Sequence, residues 1–338
     1  MTTQKIPFVT AQISAIIEDI RLLEALVTAP VGLNADIKML REALDLPEAA
    51  DLEQADRQGR LTALRGLKAD VPVLAIEAVA SLRGSLDLLD AVSGRGGAPF
   101  DDAWVTRTRR VLDRAEQRMA ADLRARVSSK ISGLYVIVDP EATGGRPVSD
   151  VARAVLDGGT RVLQLRDKSG DARDVLESAV LLKELCAKHD AIFIVNDDPA
   201  VAAISGADGI HLGQGDLPVA GVRHILRPDQ IVGRSNNTLD EALDSQSQAV
   251  DYVAVGAVFP TTTMSKGARQ VVGVETVRKV KEMVSQPVVA IGGIDRSNVG
   301  EVVRAGADCV CVVSSVTMAS DPEAAARQLV DAIEKAQG

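Results

Sequence analysis

The stretch Asp251-Tyr-Val-Ala-Val-Gly-Ala-Val-Phe-Pro-Thr-Thr-Thr-Met-Ser-Lys266 decides how this chain folds. Its opening, DYVAVGAVF, is a short apolar run with the length and β-branched content of a buried strand. Phe259-Pro260 then ends it, because proline cannot donate to a ladder. A hydroxyl-rich loop closing on Lys266 follows, and after it the helix-like GVETVRKVKEMV. Stability alone explains poorly why a buried strand should open at its C-terminal end into hydroxyls and a lysine. The pattern reads as a phosphate-handling loop on a parallel α/β scaffold.

Outward from this stretch the same alternation recurs on both sides. GLYVIVD precedes VSDVARAVLDGG, RVLQLRD precedes ARDVLESAVLLKELCAKH, and AIFIVND precedes PAVAAISGA. DGIHLGQ leads to PVAGVRHILR, QIVGRSN to TLDEALDSQSQ, PVVAIGGI to SNVGEVVRAGA, and CVCVVSSV to DPEAAARQLVDAIEKAQ. Eight strand–helix units of this length predict an α/β fold, a (β/α)8 TIM barrel over residues 129–338. Residues 1–128 lack a convincing strand. Ile13, Ile16, Ile17, Ile20 and Leu23 recur at helical spacing, a second helix follows Asn34, and others fill Val71–Val92 and Asp102–Ala125. These predict a small all-α domain ahead of the barrel. Glu18-Asp-Ile-Arg-Leu-Leu-Glu-Ala25 and Gly84-Ser-Leu-Asp-Leu-Leu-Asp-Ala91 form a weak internal repeat, which is equally consistent with chance similarity between helices.

Composition excludes several classes of function. One Trp, two Tyr and four Phe provide few stacking platforms, and a formal charge of -9 repels nucleic acid and anionic membrane. Any phosphate ligand therefore needs a local basic cluster or a metal. No run of ~18 apolar residues spans a bilayer, and the N-terminus lacks a signal-peptide pattern, so a cytoplasmic protein is expected. Cys309 and Cys311 face one way on a predicted strand and, like Cys186, read as small core residues in a reducing compartment.

In such a barrel, function collects where strands end and βα loops begin. Strand two ends at Gln164-Leu-Arg-Asp-Lys168, where Arg166 and Lys168 are the usual phosphate partners; an ordinary ion pair to Asp167 is the plainer alternative. Strand three ends at Asn196-Asp197-Asp198-Pro199, and Asp216 follows strand four. Asp198, directly before Pro199, reads as a helix N-cap, which leaves Asp197 and Asp216 as the better ligands for one hard cation. His211 lies within strand four and reads as a hydrogen-bonded core histidine rather than a catalytic base. Ser235 ends strand five and either donates to a phosphate or opens the next helix. Gly292-Gly293 after strand seven and Ser314-Ser315 after strand eight fit the common phosphate site of these barrels.

Taken in this order and spacing, QLRDK, VNDD, HLGQGD, VFPTTT–SK, AIGGI and VVSS resemble thiamine phosphate synthase over about residues 131–338. The resemblance implies condensation of a hydroxymethylpyrimidine diphosphate with a thiazole phosphate, releasing diphosphate. It implies that Gln164, Arg166, Lys168 and Asn196 hold the pyrimidine diphosphate, that Asp197 and Asp216 bind Mg2+, and that Ser235 touches the diphosphate. Thr261, Thr263, Gly293, Val313 and Ser314 would cradle the thiazole phosphate. The family pattern Pro-Thr-x-Thr-Lys is altered here: Met264 stands at the lysine position. Either that lysine's role is lost, or a longer loop lets Ser265 and Lys266 restore it; the second reading is preferred. A thiazole tautomerase-like isomerase and a non-catalytic regulatory protein on the same barrel are the alternatives. The N-terminal helices resemble a small domain fused to some members of this family and related to a hydroxymethylpyrimidine phosphate kinase. Gln12, Ala15, Gly84 and Asp87 depart from its polar motif, which favours a scaffold or a homo-oligomer surface over kinase activity.

Overall fold

The computed structural model describes residues 83, 84, 113, 116, 117, 120–261 and 270–338. Contacts divide the chain into two units, 1–123 and 124–338. In the first unit, Arg83 pairs with Asp113 at 2.8 Å and also with Glu116. Most of the expected N-terminal helices and nearly all of the internal repeat lie outside the described residues. Residues 120–128 are helical, as the Asp102–Ala125 expectation required.

The second unit is a closed barrel of eight parallel strands in chain order. They are β1 (Gly133–Val138), β2 (Val162–Leu165), β3 (Ile192–Asn196), β4 (Gly209–Leu212), β5 (Ile231–Asn236), β6 (Tyr252–Val255), β7 (Val288–Ile291) and β8 (Cys309–Val312). All eight apolar runs are strands, and β1 pairs with β8 to close the ring. Helices α1 (Val148–Asp157), α2 (Ala172–Lys188), α3 (Pro199–Ser205), α4 (Val219–Arg223), α5 (Leu239–Ser247), α6 (Val274–Met283), α7 (Val299–Arg304), α8 (Ser314–Thr317) and α9 (Pro322–Gln337) follow the strands; after β8 there are two.

Strand alternation sorts the side chains into two cores. Leu134, Val136 and Val138 pack between sheet and helices, while Tyr135 and Ile137 point into the barrel. Likewise Val310 and Val312 face the helices, and Cys309 and Cys311 face inward. Burying each such aliphatic side chain contributes roughly 1.5–3 kcal/mol, so the two layers together hold the ring closed. Gly233 is required by this interior: a Cβ there would lie 1.9 Å from the Tyr252 ring.

One device recurs at the N-terminal rim. Asp208, Asp251 and Asp308 stand just before β4, β6 and β8. Each accepts from a backbone N–H at the start of the preceding strand, that of Phe193, Val232 or Val288. Each also pairs with a cation from a preceding helix, Lys183, Arg223 or Lys281. A carboxylate that accepts from both helix and strand sets the register of each unit at the end of the barrel away from the loops that follow the strands.

The apolar run of the sixth unit is not strand as far as Phe259. β6 ends at Val255, because at Gly256 the chain passes so close to β7 that a Cβ would lie 2.3 Å from the Ile291 carbonyl. Residues 256–259 instead cross the end of β7, with the N–H groups of Val258 and Phe259 donating to Ile291 and Gly292. Within residues 262–269 the loop is outside the described residues.

Candidate active site

Each carboxylate and cation at the C-terminal rim is placed by a strand end. Asp197 follows β3 with φ 61°, a left-handed conformation that Asp tolerates better than most residues. Its N–H donates to the His211 carbonyl, which ties the end of β3 to β4. Lys168, beyond β2, places Nζ 2.8 Å from Asp197 Oδ2. Asp216, on the loop after β4, receives the Gly213 N–H and comes within hydrogen-bonding reach of the Asp197 carboxyl. Burial raises the Asp197 pKa, and the neighbouring Asp216 adds to this while Lys168 opposes it. Two neighbouring carboxylates, one of them paired with Lys168, offer oxygen ligands suited to a hard divalent cation. No cluster of three or more His, Cys, Asp or Glu suited to a metal occurs among the described residues. A cation at this pair would therefore keep water or ligand oxygens in its remaining positions.

Asp198 does what its place before Pro199 predicts: its carboxylate accepts from the N–H groups of Ala200 and Val201 and caps α3. Arg166 does not pair with Asp167. One arm of its guanidinium is taken by Asp139, a buried carboxylate at the end of β1 that also accepts from the Glu141 N–H. Asp167 instead accepts from the Ser169 and Gly170 N–H groups and shapes its own turn. Asp139 was missed from sequence, although its strand-end position matches those of Asp167 and Asp197. Its role becomes visible only when the pairing of β1 with β2 sets the two strand ends side by side.

Gln164 and Ser235 lie deeper than a rim reading suggests. Gln164 is buried, donating from Nε2 to Asn196 Oδ1 at 2.6 Å and accepting from the Tyr135 hydroxyl at 2.8 Å. The Ser235 hydroxyl lies 2.9 Å from His211 Nε2, and His211 Nδ1 lies 3.0 Å from the Tyr252 hydroxyl. His211 is thus a hydrogen-bonded interior histidine, as expected, and desolvation lowers its pKa to about 4 despite an opposing pull from Asp216. Gln214 clamps the neighbouring loop, donating to the Ser235 carbonyl and accepting from Arg234.

On the far side of the mouth, Gly292 and Gly293 take φ of 103° and 64°. A Cβ on Gly293 would lie 2.5 Å from the Pro260 carbonyl, so glycine lets the loop after β7 pass beneath the start of the Thr261 loop. Val313 precedes α8, which begins with Ser314. Thr263, Ser265 and Lys266, and with them the question raised by Met264, lie outside the described residues.

The family of thiamine monophosphate synthases matches residues 134–316, which include the eight strands except Gly133 at the start of β1, and the acidic pair. This chain belongs to that family. Among related proteins, a thiamine-phosphate synthase of Shouchella clausii is 43% identical over 203 residues, 60% of this chain and 97% of the relative. One from Moorella thermoacetica is 41% identical over 206 residues, 61% of this chain and 97% of the relative. The solved thiamine phosphate pyrophosphorylase of Pyrococcus furiosus is 36% identical with a TM-score of 0.58, covering 63% of this chain and all of that one. As a thiamine monophosphate synthase, the chain is a transferase that carries out the condensation forming thiamine phosphate. No helix among the described residues is long and apolar enough to cross a membrane.

Proposed function

We propose that the synthase domain joins 4-amino-2-methyl-5-(diphosphooxymethyl)pyrimidine to 4-methyl-5-(2-phosphoethyl)thiazole, with the two substrates on opposite sides of the barrel mouth. The observation that carries this reading is the ion pair of Lys168 with Asp197, next to Asp216, at the ends of β2, β3 and β4. Gln164, Arg166, Lys168 and Asn196 hold the pyrimidine diphosphate, and Ser235 touches its diphosphate group. Gly293, Val313 and Ser314, with Thr261, Thr263 and Ser265, would cradle the thiazole phosphate, and Lys266 would help neutralise the charge on the leaving diphosphate.

Asp197 and Asp216 hold Mg2+, which when bound supplies positive charge to the diphosphate oxygens. Chemistry begins with cleavage of the bond between the pyrimidine methylene carbon and the diphosphate oxygen. The bonding pair leaves with diphosphate, and Arg166 and Lys168 stabilise the charge that builds there. The aminopyrimidine ring delocalises the resulting cation. The thiazole nitrogen then donates its lone pair to the methylene carbon, and the new carbon–nitrogen bond completes thiamine phosphate. No protein nucleophile is needed; alignment of the two rings is the barrel's main contribution. The protein works in the cytoplasm, where its three cysteines stay reduced.

The test is incubation of the full chain with both substrates and Mg2+, measuring thiamine phosphate and diphosphate together. Equal yields abolished by EDTA are expected. Product formation insensitive to EDTA would overturn the metal assignment. Substrate binding without product would identify Met264 as a lesion and favour a regulatory role.

A further inference from the structure

The loop from β1 to α1, residues 139–147, holds none of the residues that motif and spacing assign to the site, yet it is tightly fixed. It leaves β1 through a short 3-10 turn, Pro140–Ala142, which Asp139 caps by accepting the Glu141 N–H at 2.9 Å. Arg146 anchors the other end, donating from Nη2 to the Thr317 carbonyl at 2.6 Å and from Nε to the Thr143 carbonyl at 2.9 Å. Asp139 is only 4% exposed. A carboxylate this deep requires a partner of opposite charge.

That partner is Arg166, whose Nη1 donates to Asp139 Oδ2. Among the described residues no other acceptor meets the Arg166 guanidinium, and none of its N–H groups is buried without a partner. The pairing therefore turns one part of a planar, five-donor fork towards the protein and leaves the rest accessible at the end of β2. The Arg166 N–H donates to the Val138 carbonyl, so the backbones that carry the two side chains are in register as well. A free arginine at a strand end samples many rotamers. Held by a fixed carboxylate, it presents its remaining donors in one orientation.

We propose that Asp139 is a positioning residue for the condensation, holding the Arg166 guanidinium so that its free N–H groups meet the diphosphate oxygens. This rests on the assignment of Arg166 to the pyrimidine diphosphate; Asp139 itself touches no substrate. The two charges offset each other, so Arg166 acts through the direction of its hydrogen bonds, and Lys168 supplies net positive charge. A lysine at position 166 would keep the charge and lose the fork.

Steady-state kinetics of the full chain with both substrates and Mg2+ test this. Asp139→Asn keeps the shape and the acceptor for the Glu141 N–H but sets an amide donor against Arg166. It should raise KM for the pyrimidine diphosphate about tenfold or more and leave KM for the thiazole phosphate within about twofold. In an Arg166→Ala background the same change should add less than about twofold, because Asp139 acts only through Arg166. Normal kinetics in Asp139→Asn, or losses that multiply in the double variant, would overturn the proposal. Arg166→Lys leaves Asp139 in place and reads the same point: a loss close to that of Arg166→Ala is expected, and parental kinetics would show that charge alone suffices. Failure of the unaltered protein to make thiamine phosphate would overturn the function instead. The pair is then read without turnover, by NMR of the Arg166 side-chain N–H signals, identified by their loss in Arg166→Lys. Slow exchange with solvent in the parent and fast exchange in Asp139→Asn are expected; fast exchange in the parent would show that Asp139 does not hold the guanidinium.

Discussion

Lys168 and Asp197 form an ion pair at 2.8 Å that joins the loop after β2 to the end of β3. The lysine is more than half exposed and the aspartate less so, with side-chain exposures of 57% and 26%. Such a pair contributes little to stability. On the proposed assignment it holds a cation and an anion where a diphosphate and its metal would meet.

Removal of either partner should therefore affect turnover and spare the fold. Lys168→Ala and Asp197→Ala are expected to lower kcat by about 100-fold or more, with circular dichroism and melting temperature near those of the parent. Near-normal rates with unchanged Mg2+ dependence in either variant would refute the site.

Gly233→Ala tests the interior. The added methyl would enter the Tyr252 ring, which is fixed by Tyr135 and His211 and has nowhere to move. Overpacking of this kind costs about 1–3 kcal/mol, so thermal unfolding should begin several degrees lower. An unchanged melting curve would show that the ring is not confined as described.

Acid sensitivity should carry a signature of His211. Burial lowers its pKa to about 4 from the ordinary 6.5, so the folded state resists protonation while the unfolded chain accepts it. Above pH 6.5 the group is neutral in both states and has no effect on the pH slope. As pH falls from 6.5 towards 4 the unfolded state binds the extra proton and stability drops, by up to about 3 kcal/mol. Urea titrations at pH 7 and pH 4.5 should show a smaller loss in His211→Gln. Equal losses would mean that His211 is not held neutral by the fold.

The cysteines should be silent towards alkylation. All three are buried; burial pushes Cys186 up to about 12 and raises Cys309 and Cys311 further, so almost no thiolate is present at neutral pH. Iodoacetamide should label none of them in the native protein and all three in denaturant, as read by mass spectrometry. Labelling of Cys309 or Cys311 without unfolding would show that the barrel interior opens.

The sequence by itself determined the barrel, because a strand buried on both faces must be apolar along its length and each of the eight apolar runs is followed by an amphipathic helix. It also put Lys168, Asp197 and Asp216 after the ends of β2, β3 and β4, because position after a strand is legible in the order of the residues. Asp198 was legible too, because an N-cap is a local device. Only the tertiary structure decided that β6 stops at Val255, because the reason is the Ile291 carbonyl of another strand. It alone gave Arg166 to Asp139 rather than Asp167, and set Gln164 and Ser235 at the two sides of one hydrogen-bonded chain. Those partners are separated by tens of residues and meet only because β1 pairs with β2 and the closed ring points Tyr135, His211 and Tyr252 into the same interior. Periodicity reports which face of a strand is buried; which polar groups meet on that face depends on register between strands, and register is a property of the closed barrel.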